Sequence, residues 1–210
     1  TMTKNMLVPI TFKSIIVRYK SLLTNKEFIL LILSVSANFS AFFIYVLASP
    51  VFLMDHLGFT EQQFGYLFIP TVTGMLIGSF ISKKTAGIIK PSSMLKTGYY
   101  FMFLISLSNL LFCSFMPNHA FFNIGFIALY NIGMASVMPI ISLAGLDCFP
   151  KIRGTAASGQ AFTQMLFASV VAGLLVPILW FSTFGLSLGL FFLIGFGFIT
   201  ITKTNLWKSN

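Results

Sequence analysis

Bond-making chemistry has few side chains to work with here: four carboxylates, two histidines and two cysteines in 210 residues. Glu27, Asp55, Glu61 and Asp147 all lie near the ends of long apolar stretches or in the loops between them, so this chain has no mid-membrane acid that could carry protons. His56 and His119 have no third ligand at a metal-binding spacing, and no metal site is expected. Cys113 falls inside an apolar stretch and Cys148 beside a basic loop, which argues against a disulfide between them and gives both a packing role. No nucleophile elbow, phosphate-cradling loop or His-rich cluster is present, so neither an enzyme nor a cofactor site is expected.

Recognition is better served than catalysis. Ser34, Asn38, Phe42, Tyr45 and Ser49 follow one another at steps of three or four and share one face of a helix. A polar stripe in an apolar helix must face other helices or a cavity, because an amide turned to hydrocarbon is costly. The stripe is therefore either a substrate-contacting wall or a set of hydrogen bonds between helices. A second stripe, Asn123, Ile127, Tyr130, Asn131, Met134 and Met138, adds the pliable side chains that suit an adaptable apolar site, or plain packing. Gln160, Gln164 and Phe167 make a shorter third stripe with the same two readings.

The elements that position these stripes follow from composition. The chain is 57% hydrophobic and 8% charged, far too little charge for a surface covered by water. The apolar residues gather into six blocks, about 28–54, 64–82, 95–116, 120–148, 155–179 and 183–202. Blocks of roughly twenty residues or more are the length of spanning helices and far exceed spanning strands. The fold class expected is an all-α membrane protein with six transmembrane helices. Thr60 and Gln63 have capping-box spacing ahead of the second helix, and Pro117-Asn118-His119 marks a turn. Pro70 and Pro177 are expected to loosen their helices, and Gly74-x-x-x-Gly78 and Gly185-x-x-x-Gly189 to permit close helix approach.

The net charge of +9 does not point to nucleic acid, because the basic residues are scattered through short loops without a continuous patch. Counting Lys96, at the very start of the third block, with the loop before it, all thirteen Lys and Arg fall before the first block, between the second and third, between the fourth and fifth, or after the sixth. The positive-inside rule then puts both termini on the cytoplasmic side. Residues 1–27 read as a basic cytoplasmic linker, with Phe12, Ile15, Ile16, Tyr19, Leu22 and Leu23 spaced for an interfacial helix, or else as a disordered basic tail; 203–210 read as a cytoplasmic tail. A start at Thr1 suggests that further chain precedes this one.

Three segments carry a family resemblance: Tyr45-Val46-Leu47-Ala48-Ser49-Pro50, Gly58-Phe59-Thr60-Glu61-Gln62-Gln63-Phe64-Gly65, and Phe149-Pro150-Lys151-Ile152-Arg153-Gly154-Thr155-Ala156-Ala157-Ser158-Gly159. In this order and at these topological positions they resemble the C-terminal half of major facilitator superfamily drug:proton antiporters of the bicyclomycin/chloramphenicol-resistance branch. Gly78-Ser79-Phe80-Ile81-Ser82-Lys83 is similar to the second-half copy of the superfamily's cytoplasmic loop motif, without its acidic or Asn residue. The resemblance implies half of a superfamily bundle, two inverted three-helix repeats, in a bacterial inner membrane. It implies as partners the lipid bilayer, an amphipathic drug, protons and an N-terminal six-helix half that holds the coupling carboxylate. It places Asn38, Phe42, Tyr45, Ser49, Tyr130, Asn131, Met134, Met138, Gln160 and Gln164 along the substrate cavity. It also suggests a cytoplasmic latch of Lys83, Asp147 and Arg153. A metabolite importer of the same superfamily, and a half-protein that no longer transports, are the alternatives.

Overall fold

The computed structural model describes residues 12–116 and 119–209, and every regular element among them is helical. Six helices are long and apolar enough to cross a membrane: Lys26–Leu47, Glu61–Thr85, Pro91–Phe115, Ala120–Asp147, Arg153–Leu179 and Thr183–Thr202. In chain order the α-helices are α1 (Phe12–Thr24), α2 (Lys26–Leu47), α3 (Gly65–Thr85), α4 (Pro91–Phe115), α5 (Ala120–Asp147), α6 (Arg153–Val170), α7 (Val176–Leu179), α8 (Thr183–Thr202) and α9 (Asn205–Lys208). Residues 1–11, with Lys4, lie outside the described part, as do Pro117 and Asn118 of the expected turn.

Local chemistry sets the helix ends. Asn25 caps α2 by accepting the Phe28 N–H at 3.0 Å, and Ser182 caps α8 by accepting that of Gly185 at 2.9 Å. Gln63 Oε1 accepts the Thr60 N–H at 2.9 Å, at the Thr60–Gln63 pair read from the sequence. The first span is not one regular helix to its end. Pro50 supplies no N–H, and the chain continues past it as a wider π-helical turn, Val51–His56. The fifth span widens similarly at Val171–Leu175, just ahead of Pro177. Gly87, at φ +79°, turns the chain between α3 and α4 in a backbone conformation that L side chains rarely adopt.

The packing repeats itself. α2 lies against α8, α6 and α5, whereas α5 lies against α4, α3 and α2, and α4 also meets α8. Exchanging the first three spans for the last three (α2 with α5, α3 with α6, α4 with α8) maps this set of main contacts onto itself. Three crossings separate the exchanged helices, so each pair runs in opposite directions through the layer. Buried positions are frequent along α2 (67%) and sparse along the spans containing α3 and α6 (22% and 17%). Those two helices flank the bundle.

Close contact holds α3 in place. A Cβ on Gly74 would stand 2.3 Å from the Ala128 carbonyl oxygen, and one on Gly78 would stand 2.3 Å from that of Ile132. Both glycines are thus packing positions, where the α3 backbone rides on the α5 backbone. Gly185 likewise approaches a backbone, an added Cβ standing 2.4 Å from the Leu179 carbonyl oxygen, whereas Gly189 makes room for the Leu179 and Ile44 side chains. The C-terminal segment is folded back as α9: Glu27 accepts the Asn205 N–H through both carboxylate oxygens, at 2.8 and 3.1 Å. Trp207 packs edge-on to Tyr99 and Phe198, with Lys96 Nζ 5.9 Å from its ring centre.

Candidate functional site

The α2 stripe turns inward. Ser34, Asn38, Phe42, Tyr45 and Ser49 are all buried. Asn38 Nδ2 donates to the Tyr99 hydroxyl of α4 at 2.7 Å, and Asn109 Nδ2 of α4 donates to the Tyr45 hydroxyl at 3.0 Å. The Ser34 hydroxyl bonds the Tyr99 hydroxyl and donates to the Gly197 carbonyl of α8 at 3.1 Å. Tyr130 of α5 donates its hydroxyl proton to the Asn38 carbonyl at 3.0 Å. One face of α2 is therefore tied to α4, α5 and α8 by side-chain hydrogen bonds in the apolar interior.

A second set continues the first. Cys113 Sγ donates to Asn123 Oδ1 at 2.9 Å and approaches Asn109 Oδ1 at 3.5 Å, which links α4 to α5 beyond Tyr45. Cys113 and Cys148 are both free thiols. The partners on α4 went unread in the sequence, although a signal was there. Tyr99, Met102, Ser106, Asn109 and Cys113 follow at steps of three and four, and all five are buried.

The remaining residues divide by exposure. Met134 is buried and Met138 half-buried on α5. Asn131 is fully buried, yet neither its Oδ1 nor its Nδ2 has a hydrogen-bond partner among the described residues. The Asn38 Oδ1 and Ser40 hydroxyl are also without partners among the described residues. On α6, Gln160 Nε2 donates to the Ser142 hydroxyl of α5 at 2.7 Å. Gln164, one turn further into the span, is half-buried and has no such bond among the described residues. Phe167 stacks on Phe196 of α8, ring centres 6.0 Å apart.

At the basic end of the bundle Asp147 pairs with Arg153, both more than half exposed. Lys83 and Asp147 line one cavity of about 580 Å³ between α3, α4 and α5, with Ser79, Ser82 and Leu206 also on its wall. The structure thus brings Lys83, Asp147 and Arg153 to the same place. Next to them, burial pushes the Cys148 thiol up from its ordinary value, and the Glu27 and Asp147 carboxylates push it the same way. Alkylation of Cys148 near neutral pH is accordingly expected to be slower than that of an unhindered thiol. It should gain rate as pH rises beyond the usual thiol range, and Asp147→Asn should shift that rise to lower pH. A rate profile unmoved by Asp147→Asn would contradict this.

At the opposite end His56 Nε2 lies 2.7 Å from the Trp180 carbonyl oxygen and ties the end of the first span to that of the fifth. His119 contacts the rings of Phe112 and Phe122. Among the described residues no three His, Cys, Asp or Glu side chains gather. Comparison with family models, with curated proteins and with solved structures yields no match.

Proposed function

We propose that this chain is the second half of a major facilitator drug:proton antiporter, in which two six-helix bundles enclose a site near the mid-membrane. The observation that supports this most directly is the contact pattern that repeats when the first three spans are exchanged for the last three. The sparse burial of the spans containing α3 and α6 supports it further, since these helices leave long apolar faces for a second bundle. In this reading both termini are cytoplasmic, in a bacterial inner membrane, and the mechanism is alternating access. The other half carries the coupling carboxylate, because all four acids here lie at span ends or in loops.

The α2 stripe then has a different duty from the α6 stripe. Asn38 and Tyr45 are committed to α4, so they stiffen the wall. Met138 and Gln164, half-buried and with no hydrogen bond to another helix among the described residues, are the groups available to a drug, whereas Gln160 is held by Ser142. Lys83, Asp147 and Arg153 would act as the cytoplasmic latch between states. A second reading, a half-protein that assembles without transporting, is favoured by the lack of any mid-span carboxylate in this chain.

The test is proton-driven movement of amphipathic drugs in vesicles holding the chain with its partner half. Gln164→Ala is expected to slow transport about tenfold, the loss of one well-made hydrogen bond. Absence of gradient-driven movement across a varied drug panel would rule out the antiporter. Movement inward only would favour a metabolite importer.

A further inference from the structure

The amphipathic helix α1 does not lie free at the surface. Its Leu22 is buried with Phe28, Ile32 and Ala156, and a Cβ on Gly159 of α6 would come within 2.9 Å of Leu22 Cδ1. The Tyr19 hydroxyl meets the Ser158 hydroxyl at 3.1 Å. Docked this way, α1 roofs a groove of about 550 Å³ between itself, α2 and α6. The groove follows α2 from Phe28 to Leu33 and α6 from Gly159 to Leu166, so it starts at the basic end and runs into the span. Its lining is apolar apart from Thr163 and the Tyr19 hydroxyl.

Charge at the mouth is one-sided. Of the acids nearby, Asp147 is paired with Arg153 and Glu27 is committed to the Asn205 backbone. Arg18 and Lys20 on α1, Lys26 at the start of α2 and Lys151 just before α6 have no acidic partner among the described residues. Ile16, Val17 and Leu23 are exposed on α1, as are Phe162 and Leu166 beside the groove. Such a helix rests at the boundary of hydrocarbon and headgroups, with basic residues in the headgroup layer.

We propose that this groove is a binding site for an anionic phospholipid of the leaflet in which α1 lies. One acyl chain occupies the space between Leu22, Ile32, Phe162 and Leu166, and the phosphate lies in the headgroup layer at the basic end of the groove, in the field of Arg18 and Lys20, which flank Tyr19 on either side of α1, and of Lys26. The site is independent of whether the protein transports anything.

Purified full chain in detergent, titrated with phosphatidylglycerol or phosphatidylcholine of identical acyl chains and read by native mass spectrometry, tests it. The expected result is one tightly retained phosphatidylglycerol, preferred over phosphatidylcholine by about tenfold or more, as a few basic residues at a headgroup provide. Arg18→Gln with Lys20→Gln should bring the two lipids close to parity. Neither side chain makes a hydrogen bond among the described residues, so this variant keeps the fold. Thr163→Trp, which fills the groove, should remove the retained lipid. Equal retention of both lipids by the unaltered chain, an unchanged preference in the charge variant, or retention surviving Thr163→Trp would each overturn the proposal. Displacement of the lipid by inorganic phosphate alone would also overturn it, by marking a simple anion site.

Discussion

Gly78→Leu is expected to lift α3 off the bundle and lower stability by about 3 kcal/mol or more, the upper range of overpacking when the obstacle is backbone. The first added carbon would stand 2.3 Å from the Ile132 carbonyl oxygen and 2.9 Å from the Ala135 Cβ. A side-chain neighbour could rotate away, but a carbonyl inside α5 cannot. Because α5 is the main support of α3, little else would hold the helix in register. Gly74→Leu should behave alike, against Ala128. Gly125→Leu and Gly195→Leu are the controls, since an added Cβ there meets no atom within 4 Å. Their effect should stay within about 0.5 kcal/mol. Thermal unfolding in detergent, with a spin label on α3 to report its mobility, separates the two pairs. Equal losses at all four positions would mean that α3 is not seated as described.

Tyr99→Phe is expected to cost about 1–2 kcal/mol, a large effect for the removal of one oxygen. That oxygen accepts from Asn38 Nδ2 at 2.7 Å and also bonds Ser34. Ser34 keeps the Gly197 carbonyl, but the Asn38 side chain would lose its last partner among the described residues, where its Oδ1 has none. Much of the cost is thus the stranded amide. Asn38→Ala should relieve it, and the double variant Asn38→Ala with Tyr99→Phe should be less damaged than the two single losses combined. Tyr100→Phe, at an exposed neighbour, should be nearly silent. Strict additivity between Asn38 and Tyr99 in unfolding measurements would count against the hydrogen bond.

Predicting which helix face carries polar groups proved easier than predicting what those groups meet. The step of three or four placed Ser34, Asn38 and Tyr45 on one side of α2, and they do share a side. Periodicity is a property of one helix, whereas a hydrogen bond needs the rotation and depth of a second. For Asn38 the second helix is α4, whose own stripe of Tyr99, Ser106 and Asn109 is equally regular. Reading both stripes together would have suggested the pairing without fixing its register. Gln160 and Gln164 make the same point: one meets Ser142, and the other, a turn away, does not.

The six spans were legible because hydrocarbon leaves unpaired amides no solvent, so long uncharged blocks have to be helices whatever their neighbours do. The first of them gave way to a π-helical turn after Pro50, where proline removes a donor, whereas the fifth kept its end at Leu179 and widened only internally, ahead of Pro177, and that too is local chemistry. Arrangement was not local. That α2 lies against α8 and α6, and α5 against α4 and α3, depends on how six apolar cylinders share their small residues and buried amides. All six are apolar enough to span, and apolarity alone does not encode a helix's neighbour. The docking of α1 over Gly159 and of Trp207 against Tyr99 likewise joins residues far apart in the chain. Composition determined that this protein is built of spanning helices; only the packed bundle decided which polar groups are tied up and which are left free.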